Sequence, residues 1–361
     1  MSTVSSDDPV LDVNTGQGER RARRARTGVL PDRQHTIGWL SRNGIFFALL
    51  LLIAYFSLAS ERFFSASNFE VVLVQTAIVG IVAIPGAMLV LSGYVDLSVG
   101  SVTVLTAIIF GSVFDSGGSI VVAAIIALCV AVVCGLFSAT LIAIFGMSPI
   151  IVTLGGLAAA RGVAEVVSHG ETVFGFGKGF AWIGNGEFLG VRMPAWTFLL
   201  VVLIGAYVWY QSPYGRHMMA IGSNRDAAHS LGIGIRRVPF ILYVASAFFC
   251  GIAGLLYASR LDGASLSIGD GMELQVLTAI LLGGVAFTGG RGTLLGVVCG
   301  LLFVSVLTNG LAQMDVSSFW VNIALGAALI TAAGVDVLYQ RLERLPPPDT
   351  EEVRDVAGSH P

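Results

Sequence analysis

The feature that most constrains this chain is a series of long apolar runs that polar residues barely interrupt. A helix rises about 1.5 Å per residue, so about 20 apolar residues cross the ~30 Å hydrocarbon core of a bilayer. By that length the sequence offers ten candidate spans: 44–60, 70–91, 97–114, 119–145, 149–168, 194–211, 239–259, 272–288, 293–312 and 318–339. The short runs 97–114 and 272–288 carry the weakest pattern. Composition agrees, because only 12% of the 361 residues are charged and the mean hydropathy is +0.82. A globular protein carries about 25% charged residues. The expected fold class is all-α: a polytopic α-helical membrane protein of about ten transmembrane helices.

The arginines orient it. With the N-terminus inside, the cytoplasmic segments hold fifteen arginines: 20, 21, 23, 24, 26, 33, 42, 216, 225, 236, 237, 291, 341, 344 and 354. The outer segments hold only Arg62, Lys178, Arg192 and Arg260. Positive charge stays on the cytoplasmic side, so an even span count with both termini inside fits. The expected organisation is an Arg-rich cytoplasmic tail over 1–40, a transmembrane domain over 41–340 and a cytoplasmic tail over 341–361.

Several chemistries are missing from the pattern. Lys178 is the sole lysine and is followed by glycine, so no G-x-x-x-x-G-K-[ST] phosphate loop exists. Cys129, Cys134, Cys250 and Cys299 lie in apolar runs without a C-x-x-C pair, which reads as small buried hydrophobes. The five histidines fall in tails, loops or at a span's end. The chain is expected to carry no cofactor or metal of its own and to be no enzyme.

Polar groups inside the runs are the candidates for a solute path, because a charge at the bilayer centre usually faces protein or water. Arg161 and Glu165 sit at i, i+4 and can pair. Glu273 and Gln275 begin the eighth run, Asn309 lies near the end of the ninth and Asn322 is in the tenth. Two readings stand: these groups satisfy one another between helices, or they line a path for a hydroxylated solute. Pro85-Gly86 marks a kinked or broken second helix. Gly292, Gly296 and Gly300 form a small-residue stripe that reads as close helix packing or as a site of gating motion. In the outer loop 169–193, Phe174, Phe176, Phe180, Trp182 and Phe188 read as interface anchors or as a packed re-entrant element.

Two polar stretches remain. LSGYVDLSVGS, Leu91–Ser101, places Asp96 between two apolar runs in what the span count makes a tight cytoplasmic turn. Its carboxylate can accept from the amides of Ser98 or Val99 and cap the third helix, with Gly93 supplying the turn. The alternative is a gate or docking surface built from Ser92, Gly93, Asp96, Ser98 and Gly100. The loop 212–238 holds the second stretch. Asn224 can cap a short helix, Arg225–Leu231, that stops at Gly232. So short a helix is not stable alone and needs a partner surface.

LSGYVDLSVGS resembles the LSGGIDLSVGS signature of the inner-membrane permeases of bacterial ATP-binding-cassette importers for monosaccharides, of the ribose, xylose, arabinose and galactose type. Three further stretches match that family in order: PIIVTLGGLAAARG at 149–162, AIGSNRDAAHSLGI at 220–233 and AILLGGVAFTGGRGTLLG at 279–296. The resemblance covers about residues 44–340. It implies a bacterial inner-membrane permease subunit that carries a monosaccharide. An extracytoplasmic binding protein would deliver the sugar, and ATP and Mg would act on a separate ATPase subunit. It also implies a second permease copy, identical or paralogous, a lipid surround and no nucleic acid. Asn224, Arg225, Asp226, Ala227, Ala228 and Gly232 would form the loop that couples to the ATPase. Two positions depart from the pattern: Tyr94 stands where a second glycine is usual, and Pro85 interrupts a helix usually free of proline. The alternatives are a permease of this class for another small polar solute, such as a polyol, nucleoside, autoinducer-like sugar or amino acid, or an ion-coupled secondary transporter. The latter usually shows acidic or His relays at mid-span, and few candidates are visible here.

Overall fold

Helices dominate wherever the apolar runs lie. A computed structural model describes residues 33–343, with side chains from 44 to 337, so the expected tails fall almost wholly outside the described residues. The described residues from Ile45 onward form one unit. The helices are α1 (Arg33–Ala59), α2 (Ala66–Leu91), α3 (Val99–Asp115), α4 (Ile120–Ala139), α5 (Pro149–Ser168), α6 (Lys178–Asn185), α7 (Met193–Ala206), α8 (Pro213–Ser223), α9 (Arg225–Ser230), α10 (Arg237–Leu261), α11 (Met272–Leu282), α12 (Leu294–Gln313) and α13 (Ser318–Glu343). Single π-helical turns extend α4 to Ile144 and α7 to Gln211. Among the described residues, seven helices are long and apolar enough to cross a membrane, and Gly44–Ala59, α3 and α11 are shorter.

The expected runs all contain a helix, but the eighth is a half-span. At 11 residues, α11 is about 16 Å long, about half the hydrocarbon thickness. It stops at Leu282 because Gly284, Gly289 and Gly290 take positive φ in the segment that follows. At Pro85 the expected break is absent, because α2 runs on through it to Leu91. That helix is the centre of the bundle and is buried on all sides over 76–91, the expected state of a helix that is apolar all round.

The end of the bundle carrying Arg216, Arg225, Arg236, Arg237 and Arg291 is termed inner. At the outer end, two-residue strands β1 (Val173–Phe174) and β4 (Gly263–Ala264) pair antiparallel, as do β2 (Glu187–Phe188) and β3 (Val191–Arg192). Phe176 and Phe180 are buried here against Phe110, at ring-centroid distances of 5.0 and 4.3 Å. These two aromatics are therefore packed core, whereas Phe174, Trp182 and Phe188 are exposed.

Two non-helical breaks set the architecture. α2 runs inward, residues 92–98 turn back, and α3 runs outward to Gly111, which packs on Ala264 and Val173. α10 runs outward, residues 262–271 turn back, and α11 runs inward to a loop touching Gly93 and Gly222. The two halves are thus inverted copies, and the sequence repeats accordingly. Asp96-Leu97-Ser98-Val99-Gly100 matches Ser265-Leu266-Ser267-Ile268-Gly269, and VLTAI occurs at both 104–108 and 276–280. Ser116-Gly117-Gly118 then matches Thr288-Gly289-Gly290. Local geometry repeats too. The Asp96 carboxylate accepts from the Ser98 hydroxyl at 2.6 Å, and the Ser265 and Ser267 hydroxyls bond at 2.7 Å. Ser119 caps α4 and Thr293 caps α12 through the same side-chain bond to the third helical amide. The copies meet at Gly100 and Gly269, where a Cβ on either would press on the other's carbonyl, at 2.9 and 3.0 Å.

Close approach also fixes α11 on α12. The stripe expected to pack does so at Gly296 and Gly300, which lie on the backbone of Gly283 and Ala279, while Gly292 precedes the helix at φ +154°. A Cβ on Gly300 would collide with the Ala279 carbonyl, whereas Gly334 has open space. Gly300→Val should therefore cost about 1–3 kcal/mol of stability through overpacking. Gly334→Ala, which only improves helix propensity, should be neutral or stabilising by up to about 1 kcal/mol. Unfolding of the detergent-solubilised chain reads both.

Candidate translocation path and coupling surface

Asp96 does not lie in a cytoplasmic turn. Its Oδ2 accepts from the hydroxyl of Ser246 at 3.0 Å, and Ser246 stands nine residues into α10, about 14 Å from that helix's inner end. Oδ1 accepts from the amide and the hydroxyl of Ser98, at 3.0 and 2.6 Å. The cap position of α3 is Ser98, which already has helical φ and ψ and makes no side-chain cap bond. The carboxylate closes the turn one step earlier, and it ties that turn to α10. Beside it the hydroxyl of Tyr243 donates to the Val95 carbonyl at 2.8 Å. The inner break thus has its backbone and its acid satisfied by one face of α10, which an unbroken helix would not require.

The charged groups of the outer half converge beyond the glycine contact. Arg161 Nη1 donates to Asp270 at 2.7 Å, and its Nε lies 3.7 Å from Glu165. The Glu273 carboxylate sits on Gly100, next to Asp270 in the outer break. These side chains face outward from the chain: Arg161 is 30% exposed, Glu165 57% and Asp270 60%. The same helix presents Ala158, Ala159, Gly155 and Gly162, and both glycines have open space in front of them. Ser98 lies against Gly156, so the signature break borders this surface.

The other polar residues of the spans do not join this cluster. Asn309 donates to Asn68 at 2.9 Å, and Gln313 donates to the same oxygen at 2.7 Å. This amide group pins α2 to α12 at the outer end, beside an open cleft of about 470 Å³ lined in part by Glu61, Arg62 and Gln313. Gln275 is half-buried in the first turn of α11, and Asn322 is exposed on α13. Sequence reading missed Asp270, Ser246 and Tyr243. Asp270 and Ser246 carry no pattern of their own, but the VLTAI repeat would have pointed to the outer break as partner of the signature.

At the inner end, α9 has the short helix expected after Asn224, whose Oδ1 accepts from the Ala227 amide at 2.9 Å. It ends at Ser230, and Gly232 follows at φ +77°. Ala228 is buried, while Arg225, Asp226 and Ala227 are exposed. Backbone contacts join this loop to the signature. The Leu91 carbonyl accepts from the Gly290 amide at 2.8 Å. A Cβ on Gly222 would strike that carbonyl, and one on Gly289 would lie 2.7 Å from the Gly93 nitrogen. The Arg225 guanidinium stands 5.7 Å from the Tyr94 ring centroid. Signature break, coupling-type loop and the α11–α12 connection therefore share one glycine-lined junction.

Comparison with known proteins accords with these features. Residues 68–333 match the family model described as "Branched-chain amino acid transport system / permease component". Ribose import permease protein RbsC of Bacillus subtilis is 33% identical over 306 residues, covering 84% of this chain and 95% of the relative. RbsC of Escherichia coli strain K12 is 32% identical over 308 residues, with 84% and 96% covered. The L-arabinose ABC transporter permease protein AraH of Azospirillum brasilense is 28% identical over 330 residues, with 91% and 97% covered. No solved structure matches the chain. The family model spans the bundle from α2 to α13, both breaks included, and the chain belongs to this family of multi-pass membrane permease components.

Proposed function

We propose that this chain is the permease subunit of an ATP-driven importer for a monosaccharide. A binding protein outside would deliver the sugar, and a separate ATPase subunit would supply the energy. The observation that carries this reading is the near end-to-end similarity to import permeases named for ribose and arabinose. The family description names branched-chain amino acids, but the relatives at 28–33% identity are sugar permeases. Hydroxyl and carboxylate groups at the outer break and the start of α11, Ser265, Ser267, Asp270 and Glu273, suit the hydrogen-bonding of a polyhydroxylated solute.

The path runs along the face carrying Arg161, Glu165, Asp270 and Glu273. A charge turned to lipid near the bilayer centre costs about 2.5–3.5 kcal/mol on insertion scales. Two exposed carboxylates and a half-buried arginine on one face therefore call for water or protein in front of them. The second permease copy fills that role, with its α5 against this α5 where Gly155, Ala159 and Gly162 permit close approach. The solute passes between the copies. The exposed segment 224–232 seats on the ATPase, and its motion reaches the spans through the glycine junction.

Three outcomes test this. Proteoliposomes holding the permease, its ATPase and its binding protein should import radiolabelled D-ribose, L-arabinose, D-fructose or D-allose only with ATP inside; uptake without the ATPase would overturn the reading. Ala159→Cys should give a disulfide-linked permease pair on oxidation, and Val133→Cys, exposed on α4, should not. Asp96→Asn keeps an acceptor for Ser98 but loses a charge-assisted bond worth about 1.5–3 kcal/mol. It should lower thermal stability while leaving the ATPase bound in pull-down, and loss of that binding would give Asp96 a direct docking role.

A further inference from the structure

We propose that Tyr94 is the positioning residue through which the α9 loop acts on the signature break, with Arg225 as its partner on the loop side. The inference rests on the importer reading above and names the side-chain link within it.

Tyr94 is 7% exposed, yet its hydroxyl has no hydrogen-bond partner among the described residues. Burying a hydroxyl unpaired is unfavourable, so the side chain is held there by its ring. One neighbour of that ring is the Arg225 guanidinium, 5.7 Å from its centroid, within the range of cation–π attraction. Another is Tyr243, edge-on at 6.3 Å and 87°. Tyr243 in turn donates to Val95, the next residue of the break, and Asp96 follows it. The order of contacts is Arg225, Tyr94, then the hinge that α10 pins. Arg225 is the first residue of α9 and is exposed. Asp96 bonds Ser246 on α10, so the signature's side-chain contact with the loop is the tyrosine.

A glycine at 94, the residue usual in the resembling signatures, would leave the link to backbone alone at Gly93, Gly222 and Gly289. The ring adds a lateral grip: displacement of α9 must drag Tyr94, and Tyr94 is two residues from Asp96. Tyr94→Phe keeps both ring contacts and removes the unpaired hydroxyl. Tyr94→Gly and Arg225→Gln each remove the link, the second by changing only an exposed side chain.

The test uses the full permease assembled with its ATPase in nanodiscs. Cys129, Cys134, Cys250 and Cys299 are replaced by alanine, and Leu97→Cys is added as the reporter in the break. Maleimide labelling is timed without nucleotide and after trapping with ATP and vanadate. The parent and Tyr94→Phe should show a labelling rate that depends on nucleotide. Tyr94→Gly and Arg225→Gln should each lose most of that dependence, and the double variant should lose no more than either. Full dependence in both single variants, or losses that add, overturns the proposal. If Tyr94→Gly fails to assemble, Arg225→Gln decides alone. Uptake is measured on the same parent in proteoliposomes: import without the ATPase fails the importer reading, whereas ATP-driven import with constant labelling at Leu97→Cys overturns the proposal alone.

Discussion

Two stretches of non-helical backbone lie within the bundle, and the rest of the fold is arranged to satisfy them. Apolar surroundings offer no water to a free amide or carbonyl, so such segments persist only when protein groups replace it. For residues 92–98 the replacements come from α10 and the inner loops: Tyr243 on the Val95 carbonyl, Ser246 on Asp96 and Gly290 on the Leu91 carbonyl. For residues 262–271 they come from the outer loop. Val173 pairs with Ala264, and the Phe176 amide donates to Asp262 at 2.9 Å. Remove either set and the break must rewind or expose polar backbone, and α3 or α11 loses its starting point.

This dependence explains what could be read in the sequence and what could not. Each helix announces itself by an apolar run, because lipid and buried protein demand the same residues. The caps at Asn224, Ser119 and Thr293 follow from local bonds, and the first of these was legible. The breaks were legible as gaps between runs but not as turns inside the bundle, because a hydropathy window of about 20 residues gives no depth. The run 272–288 is apolar enough to pass for a span, although the helix within it ends at Leu282. Asp96 was misplaced for the same reason: a run boundary looks like a membrane surface. The partners that hold Asp96 and Val95, Ser246 and Tyr243, lie about 150 residues away, beyond any local pattern. Pro85 misled in the other direction, since α2 continues through it to Leu91.

The candidate path shows the same division. The i, i+4 spacing of Arg161 and Glu165 was visible, but the shorter contact is to Asp270, 109 residues on. Asn309 had the same sequence credentials as Glu273. Its position on α12 sends it to Asn68, where it serves packing. Which polar residues gather at the centre is decided by the inverted repeat, since the repeat brings the starts of α3 and α11 together at Gly100 and Gly269.

Inversion also gives the two breaks different attachments, and this bears on how such a bundle can switch. Their local turns are alike, with Asp96–Ser98 in one and Ser265–Ser267 in the other. Their surroundings are not. The inner break abuts arginine-bearing loops through Gly93, Gly222 and Tyr94, and the outer break is stitched to β1 and to the Phe176 amide. Events at the inner end act first on residues 92–98, and events at the outer end act first on residues 262–271. Gly100, at the start of α3, and Gly269, in the outer break, have no room for even a methyl group between them, so the two copies are packed backbone to backbone. An importer must make solute delivery outside and ATP binding inside depend on each other. Two inverted breaks in backbone contact at mid-bundle are a physical means for that dependence.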